Sequence, residues 1–259
     1  MDHLSVSQIN LYLLCGLKYK FQYIDNLPRP FRSSALVMGS AFHSTLAYYH
    51  QQKKDGNDVS HETLYRIFDS DWYAQTIDTE IRYKEREQEL TLKSQGKEFL
   101  NLYTLDFKGE VEAYEVPFRI PIILSSNGTQ HTIPFEGFID LVETHDTLVE
   151  FKTSGQTMSA HDVHTHLQLT AYSYVYQTLH RKLPQKIKLI NFVKGRKPKM
   201  VTFETKREQQ DFEAFLYVVR KVVEGIQSEV FIPHQGYWCK DCEYASHCPL
   251  GANLKRIAS

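Results

Sequence analysis

Three ionisable residues inside two apolar stretches are the groups best placed to do chemistry in this 259-residue sequence. Asp140 lies in the stretch GFIDLVE, and Glu150 and Lys152 lie in the stretch TLVEFKT that follows it. Both stretches predict β-strands, and the link ETHDT between them predicts a hairpin. Alternate residues of a strand share a face, so the charged residues lie on one side and the remaining faces are apolar. Burying unpaired charge is costly, so these groups need each other, a metal ion, or both.

Two carboxylates and a backbone carbonyl would form an oxygen-rich site for Mg²⁺ or Mn²⁺. The carbonyl is that of Phe151, which lies between Glu150 and Lys152. A lysine beside this site could orient an attacking water or stabilise charge that develops on a phosphate. The alternative is a salt bridge across a hairpin, because so short a pattern is common.

A polar stripe follows on a helix that we predict over residues 160–180. His164, Gln168 and Tyr172 are spaced four residues apart and would lie on one face of this helix. Gln168 and Tyr172 would suit contacts to a scissile phosphate or to Lys152. For His161 and His164 we favour the simpler interpretation of a solvated face.

The four cysteines form a second candidate site. Cys239, Cys242 and Cys248 follow one another closely near the carboxyl end, and Cys15 is the remaining cysteine. Disulfides are improbable in a reducing compartment. Four thiolates suit either zinc or an iron–sulfur cluster, and such a centre would join the tail of the chain to its head.

The surrounding sequence predicts the elements that position these groups. Ser5 and Ser7 are candidate caps of a first short helix, and Ser60 is the candidate cap of a later one. We predict further helices over 37–54, 60–77, 80–106 and 206–227. Strands begin after Glu110, and KIKLINFV and KMVTFET form two more strands around a GRKP turn. This order predicts an α/β protein with a mixed sheet flanked by helices, an N-terminal helical annex and a cysteine-rich C-terminal tail.

The composition, with 42% apolar and 24% charged residues, is that of an ordinary soluble protein. No apolar run approaches the ~20 residues that span a bilayer, and the first residues lack the pattern of a secretory signal. We therefore expect a cytoplasmic protein without membrane partners. The net charge of −1 argues against a generally basic surface but leaves room for a local basic groove. Candidate phosphate contacts cluster at the GRKP turn, with plain solvated surface as the alternative: Lys194, Arg196, Lys197 and Lys199.

The sequence resembles the PD-(D/E)xK nucleases of the RecB type, including AddB-like and CRISPR-associated members. Five motifs carry the resemblance in the order of that family. They are S-x-S-x(4)-Y-x(2)-C at Ser5, Ser7, Tyr12 and Cys15, G-x(3)-H at Gly39 and His43, G-x-I-D at Gly137 and Asp140, E-x-K at Glu150 and Lys152, and Q-x(3)-Y at Gln168 and Tyr172. Each motif is weak alone, but the ordered set is specific and covers nearly the whole chain.

The resemblance implies a restriction-endonuclease-like fold and a role for each matched residue. The metal would be held by His43, Asp140, Glu150 and the carbonyl of Phe151. Lys152 would be the catalytic lysine, and Gln168 and Tyr172 would support the site. The four cysteines would bind a [4Fe–4S] cluster rather than zinc. Gly16 departs from the family, which often has proline after the first cysteine.

We therefore predict a single nuclease domain with four parts. These are an N-terminal cysteine-bearing segment (1–36), a helical annex (37–107), a nuclease core (108–227) and a cluster-binding tail (228–259). The predicted activity is metal-dependent hydrolysis of DNA, by an exonuclease acting on single strands or free ends in repair or recombination. One alternative is a catalytically silent DNA-binding or scaffold subunit of a larger repair or CRISPR adaptation complex. Another is an enzyme of the same fold that acts on RNA or nucleotides.

Overall fold

The computed structural model describes residues 2–126 and 129–251. Its helices are α1 (Val6–Leu14), α2 (Gly16–Tyr19), α3 (Ser34–Lys54), α4 (His61–Thr76), α5 (Glu89–Asp106), α6 (Ala160–His164), α7 (Leu167–His180) and α8 (Gln209–Gln227). Its strands are β1 (Phe31–Ser33), β2 (Glu80–Arg82), β3 (Val111–Ser126), β4 (Thr129–Glu143), β5 (Thr147–Ser154), β6 (Lys186–Val193) and β7 (Lys199–Thr205).

A five-stranded mixed sheet in the order β3-β4-β5-β6-β7 forms the centre of the fold. Neighbouring strands run antiparallel except β5 and β6, which are parallel and are connected through α6 and α7. The short strands β1 and β2 pair in parallel as a separate sheet. The predicted α/β architecture, a mixed sheet flanked by helices, is confirmed.

Helices cover both faces of the central sheet. On one face, α1, α7 and α8 pack against β3 and β4, and apolar residues of α8 at helical spacing, such as Phe215, Val219 and Val222, enter this core. On the other face, α3, α4 and α5 pack against β5 and β6 through Phe42, Phe99 and Phe151. The annex is therefore one wall of the sheet's core, and its first helix, α3, lies directly on β5.

The prediction of one helix over 80–106 is wrong at its start. Glu80–Arg82 forms β2, and α5 begins only at Glu89. The strand forms because Phe31–Ser33, far upstream, offers it a partner, and the guanidinium of Arg82 lies over the ring of Phe31 at 3.3 Å. A local helical pattern cannot reveal that pairing.

The prediction of one helix over 160–180 is also wrong, because the helix breaks between His164 and Leu167. The buried guanidinium of Arg207 donates to the carbonyl of Val163 at 2.9 Å and to the hydroxyl of Thr170 at 2.7 Å. These bonds satisfy backbone and side-chain groups on both sides of the break. The carbonyl of Val163 thus accepts from Arg207 as well as from the N–H of His166 at the break.

The two ends of the described chain lie against each other. The hydroxyl of Tyr12 donates to the carbonyl of Val230 at 2.6 Å, and Lys18 pairs with Glu243 at 2.5 Å. Residues 252–259 of the predicted cluster-binding tail lie outside the described residues. Within the described ranges, none of the helices combines the length and the apolar character needed to cross a bilayer.

Candidate active site

A fork between β4 and β5 creates the site. The two strands pair over only three positions, from Leu141 opposite Val149 to Glu143 opposite Thr147, and then separate. Beyond the fork, the N–H of Phe151 donates to Oδ2 of Asp140 at 2.9 Å. The backbone of β5 is therefore held by a side chain of β4 at this point, and the carboxylate is fixed in place by the strand beside it.

His43 reaches the same gap from α3. The hydroxyl of Ser33, just before this helix, accepts from the N–H of Leu36 and caps the first turn. The Nε2 of His43 lies 3.1 Å from the carbonyl oxygen of Phe151, and its Nδ1 lies 3.5 Å from Oδ2 of Asp140. Both neighbours are acceptors, so the ring bonds to both only when both nitrogens carry protons. Burial disfavours a charged His43 ring, but the charge of Asp140 outweighs this effect and raises the pKa of His43. His43 in turn lowers the pKa of Asp140. Without a metal ion, Asp140 thus favours the protonated form of the His43 ring.

Glu115 completes a group that sequence reasoning missed. One ligand atom each from His43, Glu115 and Asp140 lie within 4.8 Å of one another. Glu115 lies on β3 with a φ of 43°, a left-handed conformation that costs a residue other than glycine about 1 kcal/mol. Burial, followed by the charge of Asp140, raises the pKa of its carboxyl. A carboxylate inside the run VEAYEVPF was the available signal, but Glu112 precedes it in the same run and Glu110 comes just before that run.

Glu150 is the most deeply buried carboxylate of the site, at 1% exposure. Its Oε1 lies 2.6 Å from Nζ of Lys152, yet neither oxygen has hydrogen-bond geometry to a partner among the described residues. Burial and then the charge of Asp140 raise the pKa of Glu150 to about 7. Both oxygens of Glu150 therefore keep acceptor capacity for a metal ion held beside Asp140.

Lys152 begins a chain of hydrogen bonds that leads into α7. Its Nζ donates to Oε1 of Gln168 at 2.6 Å, and Nε2 of Gln168 donates to the hydroxyl of Tyr172 at 2.8 Å. Burial lowers the pKa of Lys152, but Glu150 outweighs that effect and raises it overall. Lys152 is therefore a fixed cation with its ammonium held between a carboxylate and an amide.

The predicted polar stripe on one helix is split by the break before Leu167. Gln168 and Tyr172 belong to α7 and line the site, whereas His164 belongs to α6 and is exposed, as is His161. The interpretation of both histidines as solvated agrees with this placement. Tyr172 is buried against the ring of Phe118 at 5.7 Å, and burial raises the pKa of its hydroxyl. It therefore acts as a neutral donor and acceptor.

All four cysteines line one cavity between the head and the tail of the chain. Cys15 contributes from the end of α1, and Cys239, Cys242 and Cys248 contribute from the segment after α8. Among the described residues, no three of their sulfurs lie within 4.8 Å of one another. Burial raises the pKa of the Cys242 thiol. The binding of a metal centre here stays a prediction.

The predicted basic cluster divides into two kinds of residue. Lys194 is only 14% exposed and pairs with Glu87 at 3.5 Å. In contrast, Arg196, Lys197 and Lys199 are exposed at the turn between β6 and β7. That turn lies beyond the ends of β5 and β6 nearest Lys152, because the N–H of Lys194 donates to the carbonyl of Ser154. A role in phosphate contact stays a prediction.

Comparison with known proteins places this geometry in a family. A profile of the PD-(D/E)XK nuclease superfamily matches residues 3–249. The chain belongs to this superfamily. The match spans the fork, the annex and the cysteine cavity. No sequence among curated proteins matches this nuclease.

Two solved structures resemble the nuclease in fold. A provisionally assigned exonuclease from Eubacterium rectale has a TM-score of 0.55 and 12% identity, and the match covers 94% of this chain and 88% of that one. SSO0001 has a TM-score of 0.40 and 13% identity, and the match covers 90% of this chain and 94% of that one. At these identities the first likeness shows the fold alone. Nucleases of the superfamily use divalent metals, and this one has a His/Glu/Asp group suited to such an ion.

Proposed function

We propose that this nuclease is a RecB-type, metal-dependent deoxyribonuclease that acts as an exonuclease on single-stranded or free-end DNA during repair or recombination. The observation that carries the proposal is the convergence of His43, Glu115 and Asp140 beside the Glu150–Lys152 pair. Acidic ligands beside a fixed lysine suit hydrolysis of a phosphodiester. The restriction to DNA, and the preference for free ends, rest on the resemblance to RecB-type nucleases.

The donor set fits a hard divalent cation. Carboxylate and carbonyl oxygens with one imidazole suit Mg²⁺ or Mn²⁺, and the buried oxygens of Glu150 lack hydrogen-bond partners among the described residues. We assign the ion to His43, Glu115, Asp140, Glu150 and the carbonyl of Phe151. When bound, it would offset the negative charge that builds up on the phosphate in the transition state.

The remaining residues of the site orient the attack. Gln168 holds the ammonium of Lys152 beside the position that we assign to the scissile phosphate. There it can donate to a phosphate oxygen or orient the attacking water. Tyr172 holds the far side of Gln168 and so limits the rotation of its amide. Because Glu150 raises the pKa of Lys152, we assign Lys152 to the stabilisation of charge and not to the role of the base.

We further propose that the cysteines bind a [4Fe–4S] cluster. The four thiolates line one cavity, and four thiolates suit either zinc or an iron–sulfur cluster. The choice of the cluster rests on the resemblance to RecB-type nucleases. Iron, sulfide and zinc analysis of anaerobically purified protein, with Mössbauer spectroscopy, tests this assignment. One zinc per chain without iron would refute it.

Cleavage of end-labelled single-stranded DNA with Mn²⁺ or Mg²⁺ tests the nuclease. Wild type is compared with Asp140→Ala and Lys152→Ala, and with Asp146→Ala as a control on the hairpin away from the fork. Cutting by wild type and the control that is lost in the two site variants supports the proposal. DNA binding without cutting under any metal would favour a silent scaffold, and cutting confined to RNA would overturn the assigned substrate.

A further inference from the structure

An open cleft leads away from the site along the edge of β4. Its lining includes Ser5, Ser7, Phe138, Asp140, Gln168 and Tyr172. Three of these residues, Asp140, Gln168 and Tyr172, already belong to the site. The cleft is therefore continuous with the position of the scissile phosphate, and whatever adjoins that phosphate in the substrate must occupy it.

Phe138 is the large apolar side chain of this cleft that faces solvent. It is 55% exposed, and its ring makes no aromatic contact among the described residues. Other exposed aromatic residues, such as Tyr73 on α4 and Tyr217 on α8, lie on helix surfaces outside the cleft. Tyr217 moreover lies close to two basic side chains of its own helix. Phe138 thus presents a free ring face beside the candidate metal ligands.

The position of Phe138 is rigid. Within β4 it pairs directly opposite Pro117 of β3, so the two apolar side chains are neighbours on one face. At Gly137, an added Cβ would lie 2.7 Å from the ring of Phe118, so the strand packs closely on the core at this point. Phe138 precedes Asp140 by two residues, which places their Cα atoms about 6.8 Å apart along the strand.

We propose that Phe138 is the stacking platform for the base of a nucleotide next to the scissile phosphate, and that this contact makes an unpaired strand the preferred substrate. The proposal rests on the proposed function and adds a substrate contact to it. A solvent-exposed ring on a paired strand, two residues from the candidate ligand Asp140, offers a π-face to a base. Inside duplex DNA both faces of each base are already stacked on neighbours, so an unpaired, frayed or terminal nucleotide is needed to use the platform.

The test is a cycle that combines a protein change with a substrate change. Wild type, Phe138→Ala and Phe138→Trp receive single-stranded oligonucleotides with one abasic residue placed in turn at each position around the cut. Loss of one stacked base corresponds to roughly a 5- to 100-fold change. We expect Phe138→Ala to raise KM for intact single strands by about tenfold with little change in kcat. Phe138→Trp, which keeps an aromatic ring, should keep the wild-type KM.

The decisive result concerns one abasic position. An abasic residue at that position should weaken cleavage by wild type and by Phe138→Trp, but should have no further effect on cleavage by Phe138→Ala. Tyr217→Ala, which removes an equally exposed ring on α8, serves as the matched control and should behave as wild type. An abasic penalty that persists in Phe138→Ala, or unchanged kinetics in that variant, would overturn the proposal.

Binding measured with the divalent metal removed separates this proposal from the proposed function. Fluorescence anisotropy of the same oligonucleotides should show weaker binding by Phe138→Ala than by wild type, whether or not the protein cuts. If wild type cuts nothing but Phe138→Ala still loses single-strand binding, the platform stands and the nuclease assignment fails. If wild type cuts and the two proteins bind alike, the platform fails alone.

Discussion

The N–H of Phe151 on β5 donates to the carboxylate of Asp140 on β4, although the two strands have already ceased to pair. An asparagine in place of Asp140 can keep this bond through its amide oxygen, but it removes the charge beside Glu150. We expect Asp140→Asn to fold but to melt below the wild-type temperature, because the charge of Asp140 is stabilised by His43, as its lowered pKa indicates. Cleavage should fall by about 10³-fold, equivalent to several kcal/mol of lost metal assistance. Melting and cleavage assays check this, and a variant that keeps wild-type rates would contradict the assignment of Asp140.

Lys152 should matter for cleavage more than for metal binding. In Lys152→Met the carboxylate of Glu150 loses its ion pair and remains free to take up a cation. We expect cleavage to fall by about 10²- to 10³-fold, while Mn²⁺ still raises the melting temperature. Lys188→Met is the matched control, since Lys188 pairs with buried Glu143 at 2.5 Å in the same sheet, away from the fork. It should lose stability but keep its activity; a parallel loss of activity in both variants would indicate a general effect of broken ion pairs.

Glu115 combines a strained backbone with a ligand atom, so two substitutions separate the roles. Glu115→Gly and Glu115→Ala both remove the carboxylate and should raise the Mn²⁺ concentration needed for half-maximal cleavage. Only glycine relieves the positive φ, so the metal-free glycine variant should be more stable than the alanine variant by about 1 kcal/mol. Urea unfolding and metal titration measure the two effects. Unaltered metal dependence in both would remove Glu115 from the ligand set.

His166, at the helix break before α7, should make stability depend on pH. Burial, with help from Lys152 and Arg207, lowers the pKa of its ring from 6.5 to about 4. Between these values the unfolded chain takes up a proton that the folded protein does not, so stability falls as the pH falls. From pH 7 to 5, wild type should lose about 1 to 2 kcal/mol more stability than His166→Gln. If urea unfolding shows the same loss of stability from pH 7 to 5 for wild type and His166→Gln, the folded ring accepts a proton normally.

Removal of one of the four cysteines should destabilise the protein without unfolding it. The ends of the chain are also joined by Tyr12 with Val230 and by Lys18 with Glu243, neither of which needs a metal centre. We expect Cys242→Ala to lower the melting temperature by several degrees, as a change of 1 to 2 kcal/mol would do. An unchanged melting temperature would argue against a structural role for the cysteines.

The elements fixed by local pattern were the ones that the sequence predicted well. Strands β6 and β7 match KIKLINFV and KMVTFET residue for residue, and Ser60 caps α4 as expected. The failures depend on partners far away in the chain. Strand β2 forms because β1 pairs with it, and the break before α7 depends on Arg207.

The same distinction applies to the site. Asp140, Glu150 and Lys152 were noticed because charge in an apolar strand is costly at any position. That His43 would meet the carbonyl of Phe151 followed only from the resemblance, since the two are more than a hundred residues apart. Glu115 was missed because its role depends on a backbone conformation that periodicity does not encode.

Contact between the head and the tail of the described chain has a consequence for synthesis on the ribosome. Leu4 bridges to Phe135, α1 packs beside α8, and α8 in turn supports α7, which carries Gln168 and Tyr172. The nascent chain therefore cannot complete this wall of the site until α8 has emerged. Unfinished chains that stop before α8 would lack the helix that supports α7, and with it a finished wall of the site.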